Sequence, residues 1–265
     1  MRIAVLQFDP DPDPEANAAL LTETAARAAE DQVDLLLAPE GSIVSYLTDS
    51  AAVRRAAQPL DGPFATAVLA ASAQYGLTIA AGTFVPDPES DRAHNTLLIA
   101  TEGTVAAAYQ KIHLYDAFSY TESDTVAPGH EPPPVLQIGD LTVGFATCYD
   151  LRFPELFRSL QQRGAQVLAL ASAWVRGPLK EEHWLTLLRA RAIENTSYVV
   201  AADQVGRAAI GRSVIFDPMG LQLADMGVEN PAYAVADLDP GRVAQVRETL
   251  PSTENARMRI EAVPR

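Results

Sequence analysis

Cysteine is almost absent from this sequence: its 265 residues contain one, Cys148. A single cysteine excludes an intrachain disulfide and any cysteine-based zinc or iron–sulfur site. The four histidines show neither HxxxH nor HxH spacing, and no GxxxxGK[ST] or glycine-rich dinucleotide pattern occurs, so we expect no metal and no cofactor. A lone free thiol fits a reducing compartment, and we expect a cytoplasmic location.

Positive charge is also scarce, with 20 Lys and Arg residues against 34 Asp and Glu residues and a net charge of −14. Such a surface repels phosphate backbones and anionic lipid, so we expect no nucleic-acid partner and no membrane partner. Long apolar runs are missing as well. No stretch of about 20 apolar residues could form a membrane-spanning helix, and the short apolar N-terminal run is unlike a signal peptide.

Short apolar runs instead alternate with amphipathic segments. The first half of the chain predicts strands at 2–8, 34–38, 77–84, 95–101 and 104–110, with helices at 15–30 and 63–75. The second half repeats this order, with strands at 141–147, 165–172, 197–203, 212–216, 221–225 and 233–237 and helices at 154–163 and 178–194. Strands that alternate with helices predict an α/β fold, and the hairpins predict mixed sheets.

Two similar halves without a dividing linker predict one domain over residues 1–265. If the halves bury their sheets against each other, the result is a four-layer α-β-β-α sandwich with the helices outside. A doubly wound single sheet is the alternative. The segment 131–134 is the expected hinge between the halves, and it is too short to separate two domains.

Three chemically capable side chains follow predicted strands, where α/β folds gather their functional groups. Glu40 follows a strand in DLLLAPEG, Lys111 follows one in AAYQKIHLYD, and Cys148 follows one in ATCYDLRFPE. Separately, they also fit a solvated loop acid, a surface lysine and a small buried apolar residue. Together they form a possible base, electrostatic stabiliser and nucleophile. His113, two residues after Lys111, is the alternative base.

Three segments, LLLAPEG, YQKIHLYD and TCYDLRFPELFR, resemble in sequence and order the signature segments of the nitrilase superfamily of carbon–nitrogen hydrolases. MRIAVLQ, ESDTVAPG and HWLTLLRARAIENTSYVVAADQ extend the resemblance over most of the chain. The resemblance implies the four-layer sandwich. It also implies a homodimer or larger homo-oligomer, assembled through the helices at 154–163 and 178–194.

The resemblance further implies a catalytic Glu40–Lys111–Cys148 triad and a second glutamate at Glu122. Lys111 would stabilise the Cys148 thiolate, because a nearby cation lowers a thiol pKa. Glu40 would act as base and then acid while Cys148 forms a thioester. Lys111 and the backbone N–H of Tyr149 would face the oxyanion, and Glu122 would orient Lys111 or the substrate.

The segment CYDLRFPE resembles the amidase branches, especially the omega-amidase and deaminated-glutathione amidase group, which implies a small carboxylate-bearing amide as substrate. In ASAWVRGPLKEEHW, where the chain departs from that group, Trp174 and Arg176 are expected to line the pocket. Arg176 would bind a substrate carboxylate or lie solvated in a loop, and Arg152 would pair with Asp150 or Glu155.

Three other functions stay open on the sequence. An N-carbamoyl or ureido hydrolase and a nitrilase are the nearest alternatives within the superfamily. The alternative of another class is a catalytically silent nitrilase-like module that acts by protein contact. The intact Glu40, Lys111 and Cys148 argue against this module, because a binding protein needs none of the three.

Overall fold

Two six-stranded sheets form the centre of the structure, a computed structural model that describes residues 1–118 and 120–258. The first part of the chain forms β1 (Arg2–Gln7), α1 (Pro14–Glu30), β2 (Leu35–Leu37), α2 (Ala51–Ala56), α3 (Pro63–Tyr75), β3 (Thr78–Pro86), β4 (Ala93–Thr101) and β5 (Thr104–Gln110). A small hairpin, β6 (Asp116–Ala117) and β7 (Tyr120–Thr121), leads into a 3-10 turn at Glu122–Asp124.

The second part of the chain repeats the order. It forms β8 (Val135–Ile138), β9 (Leu141–Thr147), a 3-10 turn at Cys148–Arg152, α4 (Pro154–Gln162), β10 (Val167–Ser172), α5 (Lys180–Asn195), β11 (Tyr198–Asp203), β12 (Val214–Phe216), β13 (Gln222–Asp225), β14 (Ala232–Asp237) and α6 (Pro240–Thr249). No helix in these described segments is long and apolar enough to cross a membrane.

The two sheets have matching strand orders. The first runs β14-β1-β2-β3-β4-β5, and the second runs β8-β9-β10-β11-β12-β13. In each sheet three consecutive strands are parallel, and every other neighbouring pair is antiparallel. In the second sheet, β8 pairs with β9. In the first sheet, β14 from the far end of the chain pairs with β1 at the equivalent position. The last strand of the second part is thus built into the first sheet.

Apolar side chains on the facing sides of the sheets form one shared core, which includes Ile3, Val5, Leu35, Leu37 and Leu97 from the first sheet and Val143, Phe145, Val167, Ala169 and Val200 from the second. The helices α1 and α3 cover the outer face of the first sheet, and α4 and α5 cover that of the second. The four-layer α-β-β-α sandwich is therefore confirmed, and the single doubly wound sheet is wrong.

Several short elements were not predicted. The helix α2 has only six residues, too few to show a periodic apolar face. The expected hinge at 131–134 leads directly into β8, an edge strand. The helix α6 has a visible start signal, because Asp239 caps it and Pro240 follows at its first position. The last seven residues of the expected domain, 259–265, lie outside the described residues.

Candidate active site

The three residues predicted at strand ends meet in one cavity. Glu40 lies three residues after β2, Lys111 directly follows β5, and Cys148 directly follows β9. Their side chains come from both sheets and line one cavity. All three residues are buried, with 1%, 2% and 7% of their surfaces exposed. In the described parts of the chain, no cluster of three or more His, Cys, Asp or Glu side chains could hold a metal ion.

A glycine in the neighbouring strand lets the Glu40 backbone approach the sheet. A Cβ atom at Gly82 of β3 would lie 2.3 Å from the Gly41 nitrogen and 2.6 Å from the Glu40 Cα. Gly41 itself has a φ of +60°, a left-handed conformation that suits glycine. The Gln204 side chain adds a 2.8 Å hydrogen bond to the Glu40 carbonyl oxygen. The local backbone thus fixes where the carboxylate stands.

Cys148 begins a tight 3-10 turn and has a left-handed φ of +44°. The Asp150 carboxylate holds this turn: it accepts hydrogen bonds from the Thr147 backbone N–H at 2.9 Å and from the Tyr109 hydroxyl at 2.8 Å. The other Asp150 oxygen lies 2.7 Å from His113 Nδ1. His113 is therefore engaged behind the cysteine turn, and this placement does not support its alternative role as the base.

The Lys111 ammonium lies between two carboxylates. Its Nζ donates to Glu40 Oε1 at 2.9 Å and to the Glu122 oxygens at 2.8 and 3.1 Å. Burial alone would lower the pKa of Lys111, but Glu122 and Glu40 outweigh it and raise that pKa well above its ordinary value. Lys111 therefore stays charged through the accessible pH range. The predicted Glu122 joins the cluster from the 3-10 turn after β7.

Two further donors hold the carboxylates, and the sequence did not identify them. Asn95 Nδ2 donates to Glu40 Oε1 at 2.7 Å and to Glu122 Oε1 at 3.0 Å. The backbone N–H of Ala173 donates to Glu40 Oε2 at 2.8 Å. Asn95 carried little local signal, because it lies between His94 and Thr96 at the polar start of β4. Such a buried amide needs polar partners.

Burial has the largest effect on the pKa of the Cys148 thiol. Burial and the Glu40 charge raise its pKa well above the ordinary value, whereas Lys111, the Ser172 hydroxyl and the Ala173 N–H lower it. The sequence suggested that Lys111 would favour the thiolate. It does so, but burial and the Glu40 charge outweigh its effect on the thiol pKa. The thiol of the free protein therefore holds its proton and needs a base.

The remaining predicted residues divide into two groups. Tyr149 and Trp174 line the cavity. Arg176 lies outside the cavity lining: its Nε donates to the Gly206 carbonyl oxygen at 3.1 Å, and its Nη1 lies 3.8 Å from Glu181 Oε1. This placement does not support a role in substrate binding.

Arg152 does not form the predicted pair with Asp150 or Glu155. Its guanidinium carbon lies 4.8 Å from the centre of the Trp174 ring, and Asp150 is already occupied by the cysteine turn. Lys180, Tyr46 and Tyr115 also line the cavity, and the sequence did not identify them. Nothing in the local sequence around these three residues marks them as neighbours of Cys148.

Known proteins resemble this chain over most of its length. The carbon–nitrogen hydrolase family model matches residues 2–248. A deaminated glutathione amidase of Escherichia coli O157:H7 is 42% identical over 257 residues, which cover 97% of this chain and 97% of that protein.

Two solved structures extend the comparison. An amidase from Nesterenkonia sp. AN1, in a mutant form showing the result of Michael addition of acrylamide at its active site cysteine, is 30% identical, with a TM-score of 0.76 over 94% of this chain and 98% of that one. The CN-hydrolase superfamily protein XC1258 of Xanthomonas campestris shares the fold, with a TM-score of 0.86, 24% identity and 99% coverage of both chains.

Proposed function

The chain belongs to the carbon–nitrogen hydrolase family, and from this premise we propose that it hydrolyses a small aliphatic, carboxylate-bearing amide to an acid and ammonia through a thioester on Cys148. The observation that carries this function is the buried Glu40–Lys111–Glu122 cluster beside a protonated thiol. A binding module would gain nothing from this arrangement, because the cost of desolvating buried charges can exceed the gain from their mutual attraction.

Acylation follows from the positions of these groups. Glu40 takes the proton of the Cys148 thiol, and the sulfur attacks the amide carbon, so that a carbon–sulfur bond forms and the carbonyl oxygen becomes an oxyanion. Lys111 Nζ and the backbone N–H of Tyr149 stabilise this oxyanion, and each such donor contributes about 3 kcal/mol at the transition state. Glu40 then returns the proton to the leaving nitrogen, the carbon–nitrogen bond breaks, and ammonia departs.

Deacylation uses the same carboxylate. Glu40 removes a proton from a water molecule, whose oxygen attacks the thioester carbon. The carbon–sulfur bond then breaks, the acid is released, and the proton on Glu40 returns to the Cys148 sulfur. Asn95 and the Ala173 N–H hold both Glu40 oxygens, so the carboxylate keeps one orientation through both steps. Glu122 keeps Lys111 in place and offsets its charge.

The amidase from Nesterenkonia sp. AN1 supports the choice of nucleophile, because acrylamide, a small amide, is bonded to its active site cysteine. The deciding experiment for this chain is an ammonia-release screen over small amides, ureido compounds and nitriles, with wild type and Cys148→Ala side by side. We expect release from amides by wild type and none by the variant. Release from nitriles or ureido compounds alone, or undiminished release by Cys148→Ala, would contradict the proposal.

We also propose that the enzyme works as a homodimer or larger homo-oligomer in the cytoplasm, where a free thiol persists. Exposed apolar side chains near the end of α5 support assembly: Ile193 is 42% exposed, and Met219 and Leu221 of the adjacent turn are 51% and 63% exposed. We expect sedimentation to show an oligomer that Ile193→Glu shifts toward monomer. Unchanged sedimentation would place the contact elsewhere, and a monomeric wild type would exclude assembly.

A further inference from the structure

The chain contains only two lysines, Lys111 and Lys180, and its other 18 basic residues are arginines. Both lysines are buried, with 2% and 4% of their surfaces exposed, and both line the cavity that holds Cys148. Lysines normally lie on the surface. Their confinement to one cavity indicates that each ammonium has a task there.

Lys111 has two carboxylate partners, but Lys180 has none. Lys180 Nζ donates to the neutral Tyr115 hydroxyl at 2.6 Å. It otherwise faces aromatic rings, 4.3 Å from the centre of Phe118, 4.7 Å from that of Tyr115 and 5.5 Å from that of Trp174. No carboxylate in the described part of the chain forms an ion pair with it.

A second unpaired cation lies close by. Arg152 and Lys180 both lie near the Trp174 ring. The buried Nε and Nη2 atoms of Arg152 have no hydrogen-bond partner among the described residues. Burial and the Arg152 charge lower the pKa of Lys180, while the Cys148 sulfur acts in the opposite direction. A protein with a net charge of −14 thus keeps two uncompensated cations beside the Trp174 ring.

We propose that Lys180 is the specificity-determining residue of the site and that it binds the carboxylate of the substrate. Uncompensated buried cations cost free energy, and an anion from the substrate removes that cost on binding. Lys180 and Cys148 line the same cavity, so the ligand is an amide with its reacting carbon at one end and a carboxylate at the other. Arg152, 4.8 Å from the centre of the Trp174 ring, adds to the local positive potential.

This assignment rests on the proposed amidase activity. A pair of matched substrates tests the role of Lys180 separately from that activity. The five-carbon dicarboxylic acid monoamide and the neutral five-carbon amide, pentanamide, differ only in the terminal carboxylate. We expect wild type to favour the monoamide. We expect Lys180→Gln to lower the ratio of kcat/KM for the monoamide to kcat/KM for pentanamide by about tenfold to hundredfold, the range for a hydrogen bond to a charged group.

Arg189→Gln is the matched control, because Arg189 is an exposed residue of the same helix and loses the same charge. We expect it to leave both substrates unchanged. Equal losses on both substrates in Lys180→Gln would overturn the assignment and place Lys180 with the reacting sulfur. If wild type releases ammonia from neither amide and from no other amide, the proposed function itself fails.

A binding measurement covers the case in which Lys180→Gln does not fold. With only two lysines, protein labelled with ¹³C at the lysine ε-carbons gives two side-chain NMR signals, and Lys111→Met identifies which is which. We expect the five-carbon dicarboxylate to shift the Lys180 signal at concentrations where pentanamide does not. If the dicarboxylate does not change the chemical shift of the Lys180 signal, the assignment is overturned, whatever the rates of amide hydrolysis.

Discussion

At the scale of single residues, the Cys148 thiol depends on two opposed neighbours. Glu40 raises its pKa and Lys111 lowers it. Removing the carboxylate charge in Glu40→Gln should therefore lower the thiol pKa and move the alkylation profile to lower pH. Removing the cation in Lys111→Met should move that profile to higher pH. Both variants should lose amide turnover.

Iodoacetamide labelling followed by mass spectrometry measures this directly, because the chain has one cysteine. Circular dichroism of each variant is the control for folding. A shift of both profiles in the same direction would mean that the two charges do not set the thiol pKa. Amide turnover retained in Glu40→Gln would assign the base to another group.

Asp203, at the end of β11, gives a pH-dependent prediction. Burial raises its pKa well above the ordinary 3.8, although the Trp174 N–H donates to it at 2.7 Å. The folded protein thus keeps a proton that the unfolded chain releases above pH 3.8, so this carboxyl reduces stability as pH rises toward its folded pKa. The variant Asp203→Asn keeps an acceptor for Trp174 and does not titrate.

We therefore expect Asp203→Asn to be more stable than wild type at neutral pH. The difference should shrink as the pH is lowered, by up to about 1.4 kcal/mol per pH unit. Urea unfolding of both proteins at pH 7 and pH 5 provides the comparison. A difference that stays constant between those pH values would show that the Asp203 proton is not linked to folding.

The sequence located the residues of the proposed triad better than their surroundings. Glu40, Lys111 and Cys148 each follow an apolar strand, so their positions are visible locally. Asn95 meets Glu40, 55 positions away, only after β2, β3 and β4 pair in the first sheet, and Lys180 reaches the cavity from α5 of the second part. The contacts of Arg152 were not predictable from the local sequence either. Its expected partner, the Asp150 carboxylate, already contacts Thr147, Tyr109 and His113.

At the scale of elements, β3 supports the Glu40 segment through Gly82. The substitution Gly82→Ala would place a Cβ within 2.6 Å of the Glu40 Cα and push the carboxylate away from Cys148. Because a displacement of about 1 Å can cost about 100-fold in rate, we expect kcat to fall by that order while KM changes little. Steady-state kinetics on an accepted amide measures both.

Gly76→Ala is the control for a glycine change away from the site. Gly76 ends α3 with a φ of +66°, and no atom would lie within 4 Å of a new Cβ. We expect this variant to lose about 1 kcal/mol of stability and to keep its kcat. If Gly82→Ala also kept its kcat, the close packing of β3 on Glu40 would not be what positions the base.

Element boundaries were predictable where the sequence carries an end signal. The helix α3 runs over the predicted span because Pro63 and Gly76 mark its ends. The short β6 and β7 lack such a signal, since two-residue strands form only when the surrounding chain brings them together. The strand β8 was missed for a related reason: it is short and follows three prolines, and its partner β9 makes it a strand.

At the scale of the whole molecule, β14 ties the two parts of the chain together. Its six residues pair with all of β1, from Arg2 with Asp237 to Gln7 with Ala232. The sheets also share one apolar core. Neither sheet keeps its pairing or its covered face without the other, so we expect both parts to unfold in one transition.

Two probes can test this expectation. Trp174 and Trp184 both lie in the second part of the chain, so their fluorescence reports on that part, while far-UV circular dichroism reports on both. We expect urea transitions with coincident midpoints. A fluorescence transition that is separate from the dichroism transition would mean that the two parts unfold independently.

The division of the cavity between the two sheets has a practical consequence. Glu40, Lys111 and Glu122 come from the part before β8, whereas Cys148 and Lys180 come from the part after it. A polypeptide cleaved between residues 129 and 134 would have Cys148 on one fragment and its proposed base, Glu40, on the other. The rate of ammonia release from a mixture of the two fragments would then be proportional to the concentration of correctly associated fragment pairs. Amidase activity would thus measure the association of the two parts.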